Sequence, residues 1–145
     1  MRSWLAKKIL DHNMARLCAG DPRPLLRLDH RDIRFRFPGD SSWAADLRGK
    51  AELERWLRRF IAAGLTIRAD EVVVRGWPWN TTLAVRGTDE LRGPGGELVY
   101  QNRYVIWGRM AWGLLREYEV YEDTQASKDL DGYLAANGIA PPVPA

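Results

Sequence analysis

Residues 71–87 read EVVVRGWPWNTTLAVRG, and they have the pattern of two β-strands joined by a tight turn. Apolar residues alternate before Gly76 and again after Asn80, and a Trp-Pro-Trp sequence lies between them. Hairpin tips usually carry polar residues, because they lie at the surface and face water. We therefore expect at least one of the rings of Trp77 and Trp79 to be mostly buried against the helices, the mouth of a cavity or a second copy of the chain.

The size and composition of the chain are those of one globular domain. It has 145 residues, of which 46% are hydrophobic, so it can bury a core without disulfides or metals. Its single cysteine, Cys18, excludes an intrachain disulfide. We expect one domain over residues 1–138 and a Pro-rich tail over residues 139–145.

The charge pattern bears on the partners of the protein. The net charge is +3, and the arginines are interspersed with acidic residues rather than clustered in runs. This pattern predicts a mixed, solvated surface and no nucleic-acid partner. The first 17 residues lack the pattern of a signal peptide, and no apolar run approaches the ~18 residues of a membrane span. We therefore expect a cytoplasmic protein with no membrane partner.

The order of hydrophobic patterns predicts the fold class. Helical periodicity and helix caps predict helices over 3–18 and 50–63, a short helix that ends at residue 28, and a last helix that begins at Thr124 or Ser127. Alternating patterns predict strands over 32–37, 66–75, 81–88, 97–110 and 114–123. The order indicates an α+β fold, in which a strongly bent antiparallel sheet with helices on one face forms a cone-shaped pocket.

Four stretches of the sequence resemble a known superfamily. They are RFRFPGDSSWAADLRGKAELERWLRRF (34–60), GWPWNTT (76–82), VYQNRYV (99–105) and YEDT (121–124). Their order is similar to that in the SnoaL-like branch of the nuclear transport factor 2-like superfamily, over about residues 3–136. This superfamily includes polyketide cyclases, limonene-epoxide hydrolases and ketosteroid isomerases, and also transport factors, dimerisation modules and members of unknown role. The resemblance implies a cone with an internal ligand pocket, and it leaves the activity open.

The resemblance locates the positions at which such enzymes place carboxylates. The epoxide hydrolases carry an Arg-x-Asp pair on the third strand, where this chain has Arg86 and Thr88. Their second acid falls on Val120, which cannot transfer a proton. Ketosteroid isomerases place their base before a proline, at the position of Phe37 here. The known catalytic sets are therefore incomplete in this chain.

The candidate site residues follow from this comparison. For chemistry in the pocket we expect Glu122 as acid or base and Arg86 beside it, both as catalytic residues. The residues expected to bind the ligand are Trp43, Trp77, Trp79, Arg103, Tyr118 and Val120. Pairing of the last two strands about Trp112 and Gly113 predicts that Arg103 lies opposite Glu122 on the pocket face. A one-residue slip would exchange the two faces, so the face that lines the pocket stays open here.

The sequence contains no metal-ligand spacing and no phosphate-binding loop. His12, His30 and Cys18 are isolated from one another, so we expect no metal and no cofactor. We expect a homodimer that binds a small, largely apolar organic molecule, with or without acid/base isomerase, cyclase or lyase-like chemistry. The alternative is a non-catalytic ligand-binding or dimerisation module that lacks the catalytic acids. Whether the protein is an enzyme stays open at this point.

Overall fold

The computed structural model describes residues 2–139. The helices are α1 (Ser3–Cys18), α2 (Arg23–Arg27), α3 (Lys50–Ala62) and α4 (Thr124–Ala136). The strands are β1 (Asp29–Phe37), β2 (Ala45–Arg48), β3 (Thr66–Trp77), β4 (Asn80–Arg92), β5 (Leu98–Ala111) and β6 (Leu114–Glu122). The predicted tail lies outside the described residues, apart from Ile139, which packs against the core.

The strands form one six-stranded sheet in the order β2-β1-β6-β5-β4-β3. All neighbours are antiparallel except β1 and β6, which are parallel. The helix α1 packs against β3, and α3 packs against β1 and β2. This arrangement confirms the predicted α+β fold with a curved sheet. Within residues 2–139, no helix has both the length and the apolar character needed to cross a membrane.

The strand β2 is the one element that the sequence pattern did not predict. Its four residues, Ala-Asp-Leu-Arg, are too short a stretch to show a clear alternation. Their pairing with β1 makes them a strand, since Leu47 lies opposite Phe35 and Ala45 lies opposite Phe37. The strand conformation of β2 therefore depends on its pairing with β1 and not on its own sequence pattern.

The pairing of β5 with β6 differs from the prediction by one residue. Tyr104 lies opposite Glu122, so the expectation that Arg103 occupies this place is wrong. The pairing shifts near the hairpin, where the segment 115–117 of β6 accommodates Arg116 as an extra residue. Such a bulge reverses the faces of one strand relative to its partner. The concave face of β5 therefore carries Tyr104, and Arg103 lies on the outer face.

The core fills the space between the concave face of the sheet and the helices. Its most deeply buried apolar side chains include Ile33, Phe35, Leu53, Val85 and Leu134. The apolar stripe of α3 supplies Leu53, Leu57 and Phe60, as its spacing predicts. Aromatic side chains pack edge to face in this layer, with the ring centroids of Phe35 and Trp56 4.8 Å apart.

The tip of the β3–β4 hairpin is not covered by the rest of the chain. Trp77 is 66% exposed and Trp79 is 56% exposed, so neither ring is mostly buried against the helices or the mouth of the cavity. The third alternative, burial against a second copy, stays a prediction. The two rings instead stack on each other, with centroids 5.7 Å apart and planes 6° from parallel. The indoles shield each other in part, and their outer surfaces remain in water.

Candidate functional site

An apolar cavity of about 150 Å³ lies between the sheet and the helices α1, α2 and α3. Most of its walls are leucine, methionine, valine, isoleucine and aromatic side chains. Three carboxyl groups also line it: Asp29 at the start of β1, Asp89 on β4 and Glu122 at the end of β6. Pockets of this kind, with few polar groups in an apolar wall, are typical of small-molecule sites.

Asp89 and Glu122 form a carboxyl pair within one hydrogen-bonded network. The Tyr100 hydroxyl lies 3.4 Å from Asp89 Oδ2 and 3.5 Å from Glu122 Oε1, within reach of either acceptor. The Ser127 hydroxyl donates to Glu122 Oε1 at 2.6 Å. Asn102 Nδ2 donates to the Tyr100 oxygen at 3.1 Å, which orients the tyrosine hydroxyl toward the two acids.

The surroundings of Asp89 and Glu122 give the two carboxyl groups different proton affinities. Burial raises the pKa of Asp89, and the negative charge of Glu122 raises it further. Burial also raises the pKa of Glu122, but hydrogen bonds from Ser127 and its other neighbours oppose this effect by stabilising the carboxylate. The surroundings therefore favour the protonated form of Asp89, and the Ser127 hydrogen bond favours the ionised form of Glu122. Among the described residues, Asp89 Oδ1 is buried and has no hydrogen-bond partner.

Asp29 provides a second acidic position in the same cavity. It is 5% exposed, and burial raises its pKa to about 7, although the positive charge of Lys50 opposes this shift. Asp29 pairs with Leu115, which lies seven residues before Glu122 on β6. At the usual rise per residue, this separates the two acids by roughly 20 Å along the strand. Asp29 therefore lines a different part of the cavity wall from the pair of Asp89 and Glu122.

The structure brings some of the predicted site residues to the cavity. Glu122, Tyr118 and Val120 lie along its wall on alternate positions of β6. Burial raises the pKa of the Tyr118 hydroxyl, which keeps this side chain neutral as a hydrogen-bond donor. Trp43 is buried and lines a smaller neighbouring cavity of about 20 Å³, which also includes Asp89 and Glu122 among its walls.

Other predicted site residues lie away from the cavity. Arg86 is exposed on the outer face of the sheet, where its guanidinium donates to Glu71 at 2.8 Å. Arg103 is exposed on the same face because of the bulge in β6. Trp77 and Trp79 lie at the hairpin tip and are not among the residues of the two cavities. The arginines therefore do not reach the carboxyl pair.

Neither Asp29 nor Asp89 was predicted as a site residue from the sequence. Asp89 reaches the cavity by plain alternation, since Val85 and Leu91 of the same strand also face inward. The alignment with the hydrolases had placed Arg86 inward and so reversed this strand. Asp29 could have been found from the alternation of β1, because it is an even number of residues from Ile33 and Phe35 and therefore lies on the same, inward face of the strand.

Comparison with known proteins identifies the fold. The structure of TerC co-crystallised with polyporic acid aligns with a TM-score of 0.68 and 22% identity, over 84% of this chain and 93% of that one. PrhC from Penicillium brasilianum aligns with a TM-score of 0.67 and 17% identity, over 92% and 89%. An NTF2-like protein of unknown function from Burkholderia pseudomallei aligns with a TM-score of 0.65 and 17% identity, over 81% and 90%.

The chain therefore has the NTF2-like fold that the sequence resemblance predicted. At these identities, the likeness concerns the fold and not the activity. No family model matches the sequence, and no curated protein matches it. Within residues 2–139, no group of three or more His, Cys, Asp or Glu side chains is placed to hold a metal ion.

Proposed function

We propose that the protein binds a small, largely apolar organic molecule in the cavity and acts on it by acid/base chemistry of the isomerase, cyclase or lyase type. The observation that carries this proposal is the Asp89–Glu122 pair, buried in the wall of an otherwise apolar cavity. Two carboxyl groups with different proton affinities can act as general acid and general base at neutral pH. TerC, which shares the NTF2-like fold, was co-crystallised with polyporic acid, and this supports a small-molecule ligand for a chain of this fold.

The arrangement gives each acid a separate role. Protonated Asp89 donates its proton to an oxygen of the ligand, and its unpartnered Oδ1 leaves a hydrogen-bond position free. Ionised Glu122 accepts a proton from carbon or from water, while the Ser127 hydroxyl steadies the carboxylate. Tyr118 and Asp29 supply hydrogen-bonding groups at the cavity wall. The remaining wall excludes water, which strengthens these interactions.

Glu122→Gln is expected to abolish most of the turnover and to leave ligand binding largely intact. Removing a general base typically lowers the rate by about 100- to 10,000-fold. The ligand would first be identified by mass spectrometry of an organic extract of the protein purified from its host, and its conversion would then be followed. Glu119→Gln is the matched control, because Glu119 lies on the outer face and pairs with Arg36. Equal turnover of the Glu122 variant and the wild type would refute the role of the base.

A non-catalytic ligand-binding module is the second candidate. Phe37 and Val120, at the positions of the catalytic acids of relatives, both line the cavity as apolar side chains. They extend the apolar wall without adding a proton carrier, as in a module that only stores or carries its ligand. Recovery of a bound molecule that the protein leaves unchanged would favour this candidate.

We also propose that the chain forms a homodimer through the outer face of the sheet. This face exposes Val73, Val105, Trp107 and Tyr121, a larger apolar area than isolated surface residues present. Burial of such a face against a two-fold-related copy would remove it from water. The proposed unit is the single domain over residues 1–138, and its lone cysteine is compatible with the reducing cytoplasm.

Trp107→Glu is expected to convert the dimer to a monomer. Trp107 lies opposite Glu119 on β6, so the new carboxylate would place like charges side by side at the centre of the interface. Analytical ultracentrifugation at micromolar concentration measures the change. A wild-type species of only 16.6 kDa would contradict the proposed dimer.

A further inference from the structure

The exposed tryptophans at the hairpin tips form one aromatic cluster. We call Trp77, Trp79 and Trp112 the indole cluster. The rings of Trp79 and Trp112 have centroids 6.3 Å apart, and Trp77 also stacks on Trp79. The amide of Trp112 donates to the Pro78 carbonyl at 2.6 Å, so the β3–β4 and β5–β6 tips are joined. Three indoles, each more than half exposed, therefore form one surface.

The backbone conformation of Trp112 suggests that the folded chain does not need a tryptophan at this position for its own stability. Trp112 has a φ of 53°, and it is the only non-glycine with a positive φ among residues 2–139. This left-handed conformation costs roughly 1–2 kcal/mol for a residue with a bulky side chain, whereas asparagine or glycine adopts it easily. The ring gains little burial in return, since Trp112 is 69% exposed. Such an outlier points to a function for the ring outside the chain.

Positive charge predominates around the indole cluster. The segments 72–85 and 104–116, which form the two tips and the strands beside them, contain three arginines and no acidic residue. Arg75 and Arg109 both lie beside Thr82 on neighbouring strands, and Arg109 Nε is 3.8 Å from Glu117. Glu117 offsets the charge of Arg109, and the excess of positive charge that Arg75 and Arg116 provide complements an anionic surface.

The cavity extends toward this end of the molecule. Leu83 and Met110 line it, and they lie four and two residues from Trp79 and Trp112 along their strands. Indoles are enriched at the interface between membrane and water, where one part of the ring is apolar and the other is wet. Arginines near such a surface are attracted by anionic headgroups.

We propose that the indole cluster docks on the surface of a membrane that contains anionic phospholipid. Transfer of an apolar ligand from this membrane to the cavity rests on the function proposed above, whereas the docking does not. The proposal revises the expectation of no membrane partner, because hydropathy along the sequence detects only spanning segments. Docking on a second copy is less favourable, since a two-fold contact between identical clusters would bring their arginines together.

A single-stranded nucleic acid fits the cluster less well than a membrane does. Proteins that bind single strands offer free aromatic faces on which bases stack. The facing sides of Trp77 and Trp79 already cover each other, with planes 6° from parallel, so no base can enter between them. An apolar cavity that reaches toward the same end also matches a lipid phase better than a polynucleotide.

Vesicle binding tests the proposal with the full chain. The protein would be mixed with vesicles of phosphatidylcholine alone or of phosphatidylcholine with phosphatidylglycerol, and the bound fraction would be measured by co-sedimentation. We expect binding to the mixed vesicles, weaker binding to the neutral ones, and quenching of tryptophan fluorescence by brominated lipid. Absence of binding to the mixed vesicles at low salt would overturn the proposal, whatever the outcome of the ligand experiments.

Two substitutions separate docking from folding. Trp112→Asn replaces a strained residue by one that suits the turn, so the variant should unfold at a higher temperature than the wild type. It should nevertheless bind mixed vesicles about tenfold more weakly, the factor for about 60 Å² of apolar surface at ~25 cal/mol per Å². Arg75→Gln should weaken binding to the anionic vesicles about fivefold. Unchanged vesicle binding by both variants would contradict the proposal.

One control variant and two further measurements distinguish membrane docking from nonspecific adsorption, from a dimer contact and from nucleic-acid binding. Leu98→Ser removes an exposed apolar side chain at the β4–β5 end of the sheet and should leave vesicle binding unchanged. A loss equal to that of Trp112→Asn would indicate nonspecific adsorption and refute docking by the cluster. Dissociation of a dimer by Trp112→Asn in ultracentrifugation, or tighter binding to a single-stranded oligonucleotide than to vesicles, would also overturn the proposal.

Discussion

Asp29→Asn is expected to stabilise the protein at pH 8 by on the order of 4 kcal/mol relative to the wild type, and to change little at pH 4. Burial raises the pKa of Asp29 from its ordinary value of 3.8 to about 7. Each pKa unit corresponds to about 1.4 kcal/mol of free energy, so ionising this buried carboxyl is costly. Asparagine has nearly the same shape and cannot ionise, and it therefore removes the cost.

The sign follows from which state holds the proton. Between about pH 4 and pH 7, folded Asp29 keeps a proton that the unfolded chain has already released. The free energy of unfolding therefore falls as pH rises through this range, and the stabilising effect of the proton is complete only below about pH 4. The pair of Asp89 and Glu122 acts in the same direction, because burial raises both pKa values. The Asp29→Asn variant should therefore keep the part of the pH dependence of the free energy of unfolding that comes from Asp89 and Glu122.

Urea unfolding of both proteins from pH 4 to pH 8 measures the effect. Asp32→Asn is the matched control, since Asp32 lies on the same strand with an exposed side chain. This control should keep the stability profile of the wild type. An Asp29→Asn variant whose stability falls with pH as steeply as that of the wild type would show that the carboxyl is solvated.

Trp43→Ala is expected to lower the free energy of unfolding by about 3–5 kcal/mol, the range for a buried large aromatic side chain. Trp43 is only 3% exposed, and its ring packs edge to face against Trp56 and Phe60. The Arg59 guanidinium lies 3.8 Å from the centre of the Trp43 ring, and burial lowers the pKa of this arginine. Truncation would leave a cavity and would also remove the aromatic partner of a partly buried cation.

Two matched substitutions make this prediction specific. Trp43→Phe keeps an aromatic face and removes the indole N–H, which is buried without a partner among the described residues, so it should cost far less than alanine. Trp79→Ala at the exposed tip should change stability by less than about 0.5 kcal/mol. Equal losses for Trp43→Ala and Trp79→Ala, measured by urea unfolding at pH 5, would mean that Trp43 is not part of the core.

The strongest local patterns predicted their elements well. The stripe of Leu53, Leu57 and Phe60 on α3 and the alternation of Ile33 and Phe35 on β1 faced the core as expected. These patterns arise from the periods of helix and strand, which each segment expresses without help from distant residues. The order of the elements, together with the resemblance of four motifs, was then sufficient to indicate an NTF2-like cone.

The site was less predictable because it depends on registers and bulges. Placing Arg103 opposite Glu122 was an error of one residue, and such an error exchanges the two faces of a strand. Asp89 was overlooked because the aligned motif put Arg86 inward, whereas the alternation of β4 puts Asp89 inward and Arg86 outward. The surroundings of the indoles were hidden for another reason: the contact between Trp79 and Trp112 joins two hairpin tips that meet only in the folded chain.

By itself, the sequence determined the helices, most strands and their order, since local periodicity and turn residues depend on near neighbours along the chain. Only the tertiary structure decided that Asp29, Asp89 and Glu122 share one apolar cavity, because they come from three strands far apart in the sequence. It also decided their proton affinities, since the pKa of a carboxyl depends on how much water the surrounding elements exclude. The physical reason is the same in both cases: a side chain becomes buried only when several elements pack around it, so the sequence of one segment cannot specify its burial.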